Sequence, residues 1–484
     1  MTGESLIAFF FFWGIWLLVP MLVDGTGVLT QLVGVWTSEW KNRRKGMTRG
    51  DLKTFPRVSL IIPVHNGGRS LGKTLKSLCD QTYPLRQMEV IVVDNGSTDN
   101  TERMFWEHQW QNPLGALHWI STPNPGKAWA LNAGIYFATG DYVSNVGCDV
   151  ALHPDAVLNM VKAFENDPNL SAATGAIEIS PDSSEGNSAI LHAARECEFV
   201  EYFSAFRIGR QSQTLMNSIF TLAGAFSFFR REILLELPQY SDRTVSEDTD
   251  ITFSLRERFP ETVIACLNQA IAYVEPFSSF SALYSQRVRW QRGEIEVAAC
   301  NPHLLTKNLF RINGISPVKT LVVDHTLAFP RVVWTFLLPM LFLFGYPLSL
   351  VTAAAIAMYL CYMTVDAMIM ANCYVLGHKE ARSRLRKCWW LFTVLPMYRF
   401  ILFWFRLGGF LAVLNEPPQW RTSPPWQEAA KHGSRLISQS YIFACQLGSN
   451  LTTRPSVFLQ RCWAFWHFLL RRLACAKTAA TFRT

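Results

Sequence analysis

The stretch VSLIIPVHNGGRSLGKTLKSL, residues 58–78, decides the fold class. Residues 58–62 are a short, nearly continuous apolar run ending at a turn signal, the pattern of a strand buried on both faces. HNGGRS supplies the turn, and Leu71, Leu75 and Leu78 then recur at helical spacing. The same order repeats downstream. Residues 89–93 read as a second strand, and NGSTDNTERMFWEH opens a helix with Ser97 or Thr98 available as its cap. A strand over 117–120, a helix over 127–138, a strand over 141–146 and a helix over 154–164 follow. Strands alternating with helices imply an α/β fold with a doubly wound, mostly parallel sheet.

Sheets of this kind take ligands at the carboxyl ends of their strands. His65-Asn66, Asp94-Asn95 and Cys148-Asp149 stand at those ends. Asp and Asn after a strand are also ordinary turn residues; polar groups in several successive turns favour a nucleotide site. No GxGxxG and no GxxxxGK[ST] occurs, which leaves a dinucleotide-type Rossmann site and a P-loop unsupported.

The flanks have a different character. Residues 6–23 carry no charge and match a short membrane span. Glu4 precedes the run and bulky residues end it, which argues against a cleaved leader. KNRRKGMTR (41–49) follows; read by the positive-inside rule it places the amino terminus outside and the next domain in the cytoplasm, and neither a solvated loop nor a headgroup contact, the plainer readings of such a cluster, contradicts that orientation. Residues 332–365 are uncharged over a length too great for one helix, and Gly345-Tyr346-Pro347 offers a break. Two spans of about 20 residues fit, the second continuing past Asp366. HKEARSRLRK (378–387) returns the chain to the cytoplasm, and 389–414, which contains Arg399 and Arg406, is not expected to make a simple crossing.

The formal net charge of +8 gathers at these flanks and in the basic, aromatic segment 460–477, which reads as a surface helix. A lipid bilayer accounts for this charge better than nucleic acid, for which no motif is present. The eleven cysteines include no CxxC pair and read as reduced thiols. The expected divisions are a membrane helix and juxtamembrane segment (1–40), a cytosolic domain (41–300), interfacial and transmembrane helices (301–415) and a basic tail (416–484).

IIPVHN, VVDNGSTDNT, NPGKAWALNAG, CDVALHPDAV, TLAGAFSFFRREIL, SEDTD and QRVRW occur in this order between residues 58 and 293. Each is weak alone, but the ordered set resembles the membrane-integrated family-2 glycosyltransferases, the group of cellulose, chitin, hyaluronan and poly-N-acetylglucosamine synthases. The resemblance implies a GT-A type fold, a nucleotide-diphosphate sugar donor, most often UDP-linked, and Mg²⁺ or Mn²⁺. It also implies an inverting transfer to a growing β-linked glycan, processive and coupled to export through an integral plasma-membrane protein with a cytoplasmic catalytic domain. An accessory or export subunit is among the partners it allows.

By the same resemblance, Pro63, His65, Asp94, Asn95, Lys127 and Asp149 face the nucleotide sugar, and Asp149 holds the metal. Asp248 is the catalytic base, with Glu247 beside it tuning the site. Gly224, Ala225 and Phe226 form the acceptor-side loop. Gln286, Arg289 and Trp290 form a QxxRW motif whose arginine suits a diphosphate and whose indole suits a sugar face. Read without it, SEDTD is a charged helix start favoured by the helix dipole, the expected role of Asp250, and the QRVRW stretch is an interfacial helix. Trp334, Trp389, Trp390 and Trp404 suit either a sugar path or an aromatic belt.

Two departures stand out. Gly147 occupies the position where the family usually has a first Asp two residues before the metal-binding one, and Asn95 replaces a frequent second Asp. Two other readings compete: transfer of a single sugar to a membrane lipid, and a non-catalytic subunit of glycan assembly, which only Gly147 supports.

Overall fold

A computed structural model describes residues 25–44, 52, 54–109, 113–122, 126–180, 188–301 and 338–415. They form two compact units. One runs to Tyr240, takes in Ile251–Pro276 and ends at Phe400; the other takes Ser241–Asp250, the segment from Phe277, and the chain from Ile401.

The first unit is built on an eight-stranded sheet. Its strands are β1 (Val58–Val64), β2 (Met88–Asp94), β3 (Ala116–Ser121), β4 (Tyr142–Val146), β5 (Val150–Leu152), β6 (Leu170–Ile179), β7 (Phe226–Arg230) and β8 (Val263–Val274), in the order β3-β2-β1-β4-β7-β6-β8-β5. The half from β3 to β4 is wholly parallel, with Val58 opposite both Met88 and Tyr142. Every residue of β1, β2 and β4 is buried, as expected of a sheet covered on both faces. The other half is mixed, because β7 runs antiparallel to β4 and β6, and β5 antiparallel to β8. The α/β expectation holds, with mostly parallel pairing.

The helix Lys127–Phe137 closes one face by burying Ala128, Ala130 and Leu131 in a core with Ile61, Ile91 and Val93. The helix after β2 begins at Thr101, not beside Ser97 or Thr98. Asp99 caps it instead, its Oδ1 accepting from Thr101 N at 3.1 Å, while Ser97 Oγ accepts from Asn66 N. A carboxylate is a strong acceptor for orphan N–H groups and gains from the helix dipole.

Gly175 lies where the β6–β8 register shifts. A Cβ there would sit 2.5 Å from Ala270 O and 3.2 Å from Phe226 Cε1. Gly175→Ala is therefore expected to destabilise the fold by about 1–3 kcal/mol. A thermal melt of the purified protein in detergent reads this; an unchanged midpoint would mean that the sheet yields freely here.

Leu348–Leu376 is the one helix among the described residues long and apolar enough to cross a membrane. It begins just after Gly345, whose φ of +87° stops the preceding turn, and it continues past Asp366 as expected. Most of the other span expected in 332–365, Trp334, the segment 6–23, and the tail 460–477 lie outside the described residues. Asp366 is buried on this helix, with Arg399 Nη1 2.8 Å from its Oδ1. Trp389, Trp390 and Trp404 are exposed.

Beyond Gly377 the basic helix Lys379–Lys387 is latched to the sheet unit. Arg384 forks onto Glu196 (2.8 and 2.9 Å) and lies 4.1 Å above the Phe199 ring. His378 Nε2 meets Glu178 Oε2 at 2.8 Å, and Glu178 also pairs with Arg207. The Glu178 hydrogen bond holds the His378 pKa above its ordinary 6.5, outweighing burial and Arg207, and Glu380 reinforces it. A raised folded-state pKa stabilises fully below 6.5, and that contribution drains as pH rises through the folded value. The difference in melting temperature between wild type and His378→Gln should accordingly shrink from pH 6 to pH 9; a constant difference would show that no charge is gained at His378.

In the second unit the helix Phe280–Cys300 starts at a Ser279 cap, whose Oγ accepts from Ala282 N at 3.2 Å. The chain from Ile401 packs against it closely. A Cβ on Gly408 would lie 2.8 Å from Tyr284 Oη, and one on Gly409 would lie 2.9 Å from Val288 O. Tyr284 and Val288 are buried there with Phe405 beside them.

Candidate active site

Because β2, β1 and β4 are adjacent and parallel, their carboxyl ends share one edge. Buried Pro63 ends β1 with Val64, and exposed His65 follows, its Nδ1 3.0 Å from Asn95 O. Asn66 adopts φ +54° and accepts from Thr98 N at 2.8 Å. At the end of β2, Asp94 is buried and its Oδ1 accepts from Ser97 N at 3.1 Å, forming the turn in which Gly96 takes φ +75°. Asn95 Oδ1 accepts from Gly126 N at 2.9 Å, which fixes the turn leading into Lys127.

After β4 the chain turns at Gly147, whose N donates to Ala225 O at 3.0 Å. Cys148 is tied by Thr74 Oγ1 donating to its carbonyl at 2.9 Å, and Asp149 is left exposed. Burial, more than the neighbouring Asp149, pushes the Cys148 thiol up to about 11, against the opposing field of Lys127. This thiol stays protonated near neutrality. Asn145 Nδ2 donates to Gly224 O at 3.2 Å, and its buried Oδ1 has no hydrogen-bond partner among the described residues. Gly224 and Ala225 lead into β7, and Leu222 N donates to Thr252 Oγ1 at 3.0 Å. One unit therefore gathers Pro63, His65, Asp94, Asn95, Lys127, Asp149 and the Gly224-Ala225-Phe226 loop.

The second unit holds the other motifs. Glu247 and Asp248 open the helix Glu247–Arg258; Glu247 is buried, and Asp248 Oδ1 accepts from Thr249 N at 2.8 Å. Asp250 is buried too, and Arg243 forks onto it, with Nε 2.9 Å from Oδ2. It does more than favour a helix dipole. Gln286, Arg289 and Trp290 lie on the helix Phe280–Cys300, and the Arg287 guanidinium lies 4.5 Å above the Trp290 ring.

The family model "Glycosyl transferase family 2" matches residues 59–237. These residues contain all the strand-end groups above. Residues 59–237 form a domain of the family-2 glycosyltransferase type.

Curated relatives of the chain include a poly-beta-1,6-N-acetyl-D-glucosamine synthase of Staphylococcus epidermidis. It is 25% identical over 295 residues, covering 60% of this chain and 68% of that one. The enzyme of the same name from Staphylococcus aureus (strain COL) is 28% identical over 240 residues, 50% of this chain and 55% of that one. The chain thus spans about half the length of most of these relatives. Among solved structures, a mannosyltransferase from Pyrobaculum calidifontis in complex with GDP-Man and Mn²⁺ covers 81% of this chain and 98% of its own, at 17% identity and a TM-score of 0.48.

A hard divalent cation bound with a diphosphate needs one or two protein carboxylates, the substrate supplying further oxygens. Exposed Asp149 fits that donor set. Among the described residues no group of three or more His, Cys, Asp or Glu gathers to hold a metal ion, so the protein offers no self-sufficient cage.

Several site contacts escaped the sequence reading. Arg243, Arg287, Gly293 and Glu296 all touch motif residues or their immediate neighbours. Only Gly293 carried a local signal, as a helix-interior glycine three residues past QRVRW. Arg287 and Trp290 are local neighbours, three residues apart on one helix, whereas Arg243 and Glu296 pair with residues whose approach depends on the fold.

Proposed function

We propose that the protein is a glycosyltransferase that transfers sugar units from a UDP-sugar to a growing β-linked glycan, with inversion, and passes the product across the membrane. The observation that supports it most is the shared edge of β2, β1 and β4, which carries Asp94, His65 and Asp149 together. Asp94 accepts hydrogen bonds from the base or ribose, and Lys127 offers positive charge to the nucleotide. Asp149 holds Mg²⁺ or Mn²⁺, which when bound neutralises charge on the departing diphosphate. Asp248 takes the proton from the attacking hydroxyl, Glu247 beside it tuning the site, and Arg289 pairs with the diphosphate while Trp290 meets the acceptor sugar. The Gly224-Ala225-Phe226 loop lets the acceptor approach the backbone.

The poly-N-acetylglucosamine synthases among its relatives make UDP-N-acetylglucosamine the first donor to test. The helix Leu348–Leu376, with the exposed Trp389 and Trp390 beyond it, supports a bilayer setting, and the basic stretches 41–49 and 378–387 favour the catalytic domain on the cytoplasmic side.

Membranes carrying the full chain are offered UDP-N-acetylglucosamine, UDP-glucose or UDP-glucuronate with Mg²⁺ or Mn²⁺. Release of UDP together with a long polymer is the expected result. A product extended by one sugar on a lipid would replace the processive reading, and silence with every donor in folded protein would favour a non-catalytic subunit.

A further inference from the structure

We infer that the QxxRW helix positions Asp248 mechanically, through Gly293 and Glu296, which extend the motif by two more contacts. The inference rests on Asp248 being the base. Arg289, Gly293 and Glu296 stand at i, i+4 and i+7 and so share one face of the helix Phe280–Cys300. That face carries the segment before the catalytic pair. A Cβ on Gly293 would overlap Ser246 Oγ and lie 2.6 Å from Ser246 Cβ and 2.9 Å from Ser246 N, so only glycine admits the chain this close. Three residues on, Glu296 Oε2 accepts from Val245 N at 2.9 Å, while its Oε1 accepts from Arg292 Nε at 2.7 Å. Both side chains are largely buried, at 3% exposure for Arg292 and 12% for Glu296.

The segment is also fastened within itself. Arg243 forks onto Asp250, and Ser246 O accepts from Asp250 N at 3.1 Å to close the first turn. Asp248 thus sits in a helix start fastened at 243, 245, 246 and 250. A base must reach its proton within about 2.6–3.2 Å, and a displacement of about 1 Å costs on the order of a hundredfold in rate. A hydrogen bond from a backbone N–H to a buried carboxylate is short and strong. Glu296 is a positioning residue: it acts on Val245, two residues before Glu247, and its charge is met by Arg292. Arg289 shares the rigid helix, so the proposed diphosphate contact and the base are set from one element.

The test uses full-length protein in membranes with UDP-N-acetylglucosamine, or whichever of the three UDP-sugars supports UDP release. Glu296→Ala and Gly293→Ala should each lower kcat by about 10- to 100-fold, with the KM for donor changed less than about threefold. Glu296→Gln, which keeps an acceptor for Val245 N, should recover most of the loss. A merely structural role would move the melting temperature and leave kcat per folded molecule intact. If Glu296→Ala does not fold, Gly293→Ala, which removes no charge, and Glu296→Gln decide the matter. Wild-type kcat in Gly293→Ala, or no difference between the Ala and Gln variants of folded Glu296, overturns the inference. Asp248→Asn run in parallel separates the failures: if that variant stays active, the base assignment itself is wrong.

Discussion

Asp248→Asn is expected to lower turnover by about 10²- to 10⁴-fold, the usual contribution of a positioned general base, while leaving nucleotide affinity nearly unchanged. Asparagine keeps the side-chain oxygen that accepts from Thr249 N at 2.8 Å, so the helix start at Glu247 survives. What disappears is the ability to take a proton. Loss of one negative charge from a first turn costs about 0.3–1 kcal/mol, too little to unfold the domain. Asp250, buried and forked by Arg243, is the informative contrast. Asp250→Asn should weaken that ion pair and lower stability, with turnover falling only as far as the loop loosens. The checks are steady-state UDP release at saturating donor, titration with UDP, and a melt for each variant. Full turnover in Asp248→Asn would exclude it as the base; Glu247→Gln, made beside it, shows whether its buried neighbour takes that role.

The parallel half of the fold was legible because its signals are local. Residues 58–64 and 88–94 are apolar runs that end in polar turns, and Leu71, Leu75 and Leu78 show the helical period within one short segment. The mixed half was not. In β6, LSAATGAIEI, buried Ser, Thr and Gly break the apolar pattern, and its neighbours β7 and β8 come from far along the chain. Nothing near Tyr142 announces that it will face Arg230 in an antiparallel pair. The strand-end polar groups were found for the same local reason that the strands were. The fastening of the SEDTD segment was missed because Val245 and Glu296 are 51 positions apart in sequence, and the Arg243–Asp250 pair forms only once the intervening turn is folded. The cap at Thr101 went to Asp99 rather than Ser97 because Ser97 Oγ was already engaged by Asn66 N, a choice made between two distant turns.

Gly147→Asp should damage the enzyme, although it restores the family's usual first carboxylate. A Cβ built at Gly147 lies 2.8 Å from Val150 Cγ2 and 3.0 Å from Asp149 Oδ1. Val150 is 1% exposed and held in β5, so it yields only with the sheet edge behind it. Overfilling a packed site of this kind costs about 1–3 kcal/mol. The new carboxylate would also stand beside that of Asp149, and two like charges at this separation oppose ionisation of both. The exposed carboxylate proposed to meet the cation is the one displaced. Gly147 N donates to Ala225 O, so the strain reaches the Gly224-Ala225-Phe226 loop as well. Donor-dependent turnover should fall by about tenfold or more, the scale of a sub-ångström to 1 Å misplacement of a reacting group. Gly147→Ala carries the steric part without the charge, and titrating Mg²⁺ and Mn²⁺ separates the two. An alanine variant near wild type beside a crippled aspartate variant assigns the loss to charge beside Asp149, and equal losses assign it to packing against Val150. A gain of activity in Gly147→Asp would reverse the argument, making the glycine a defect that this chain carries rather than a residue its site requires.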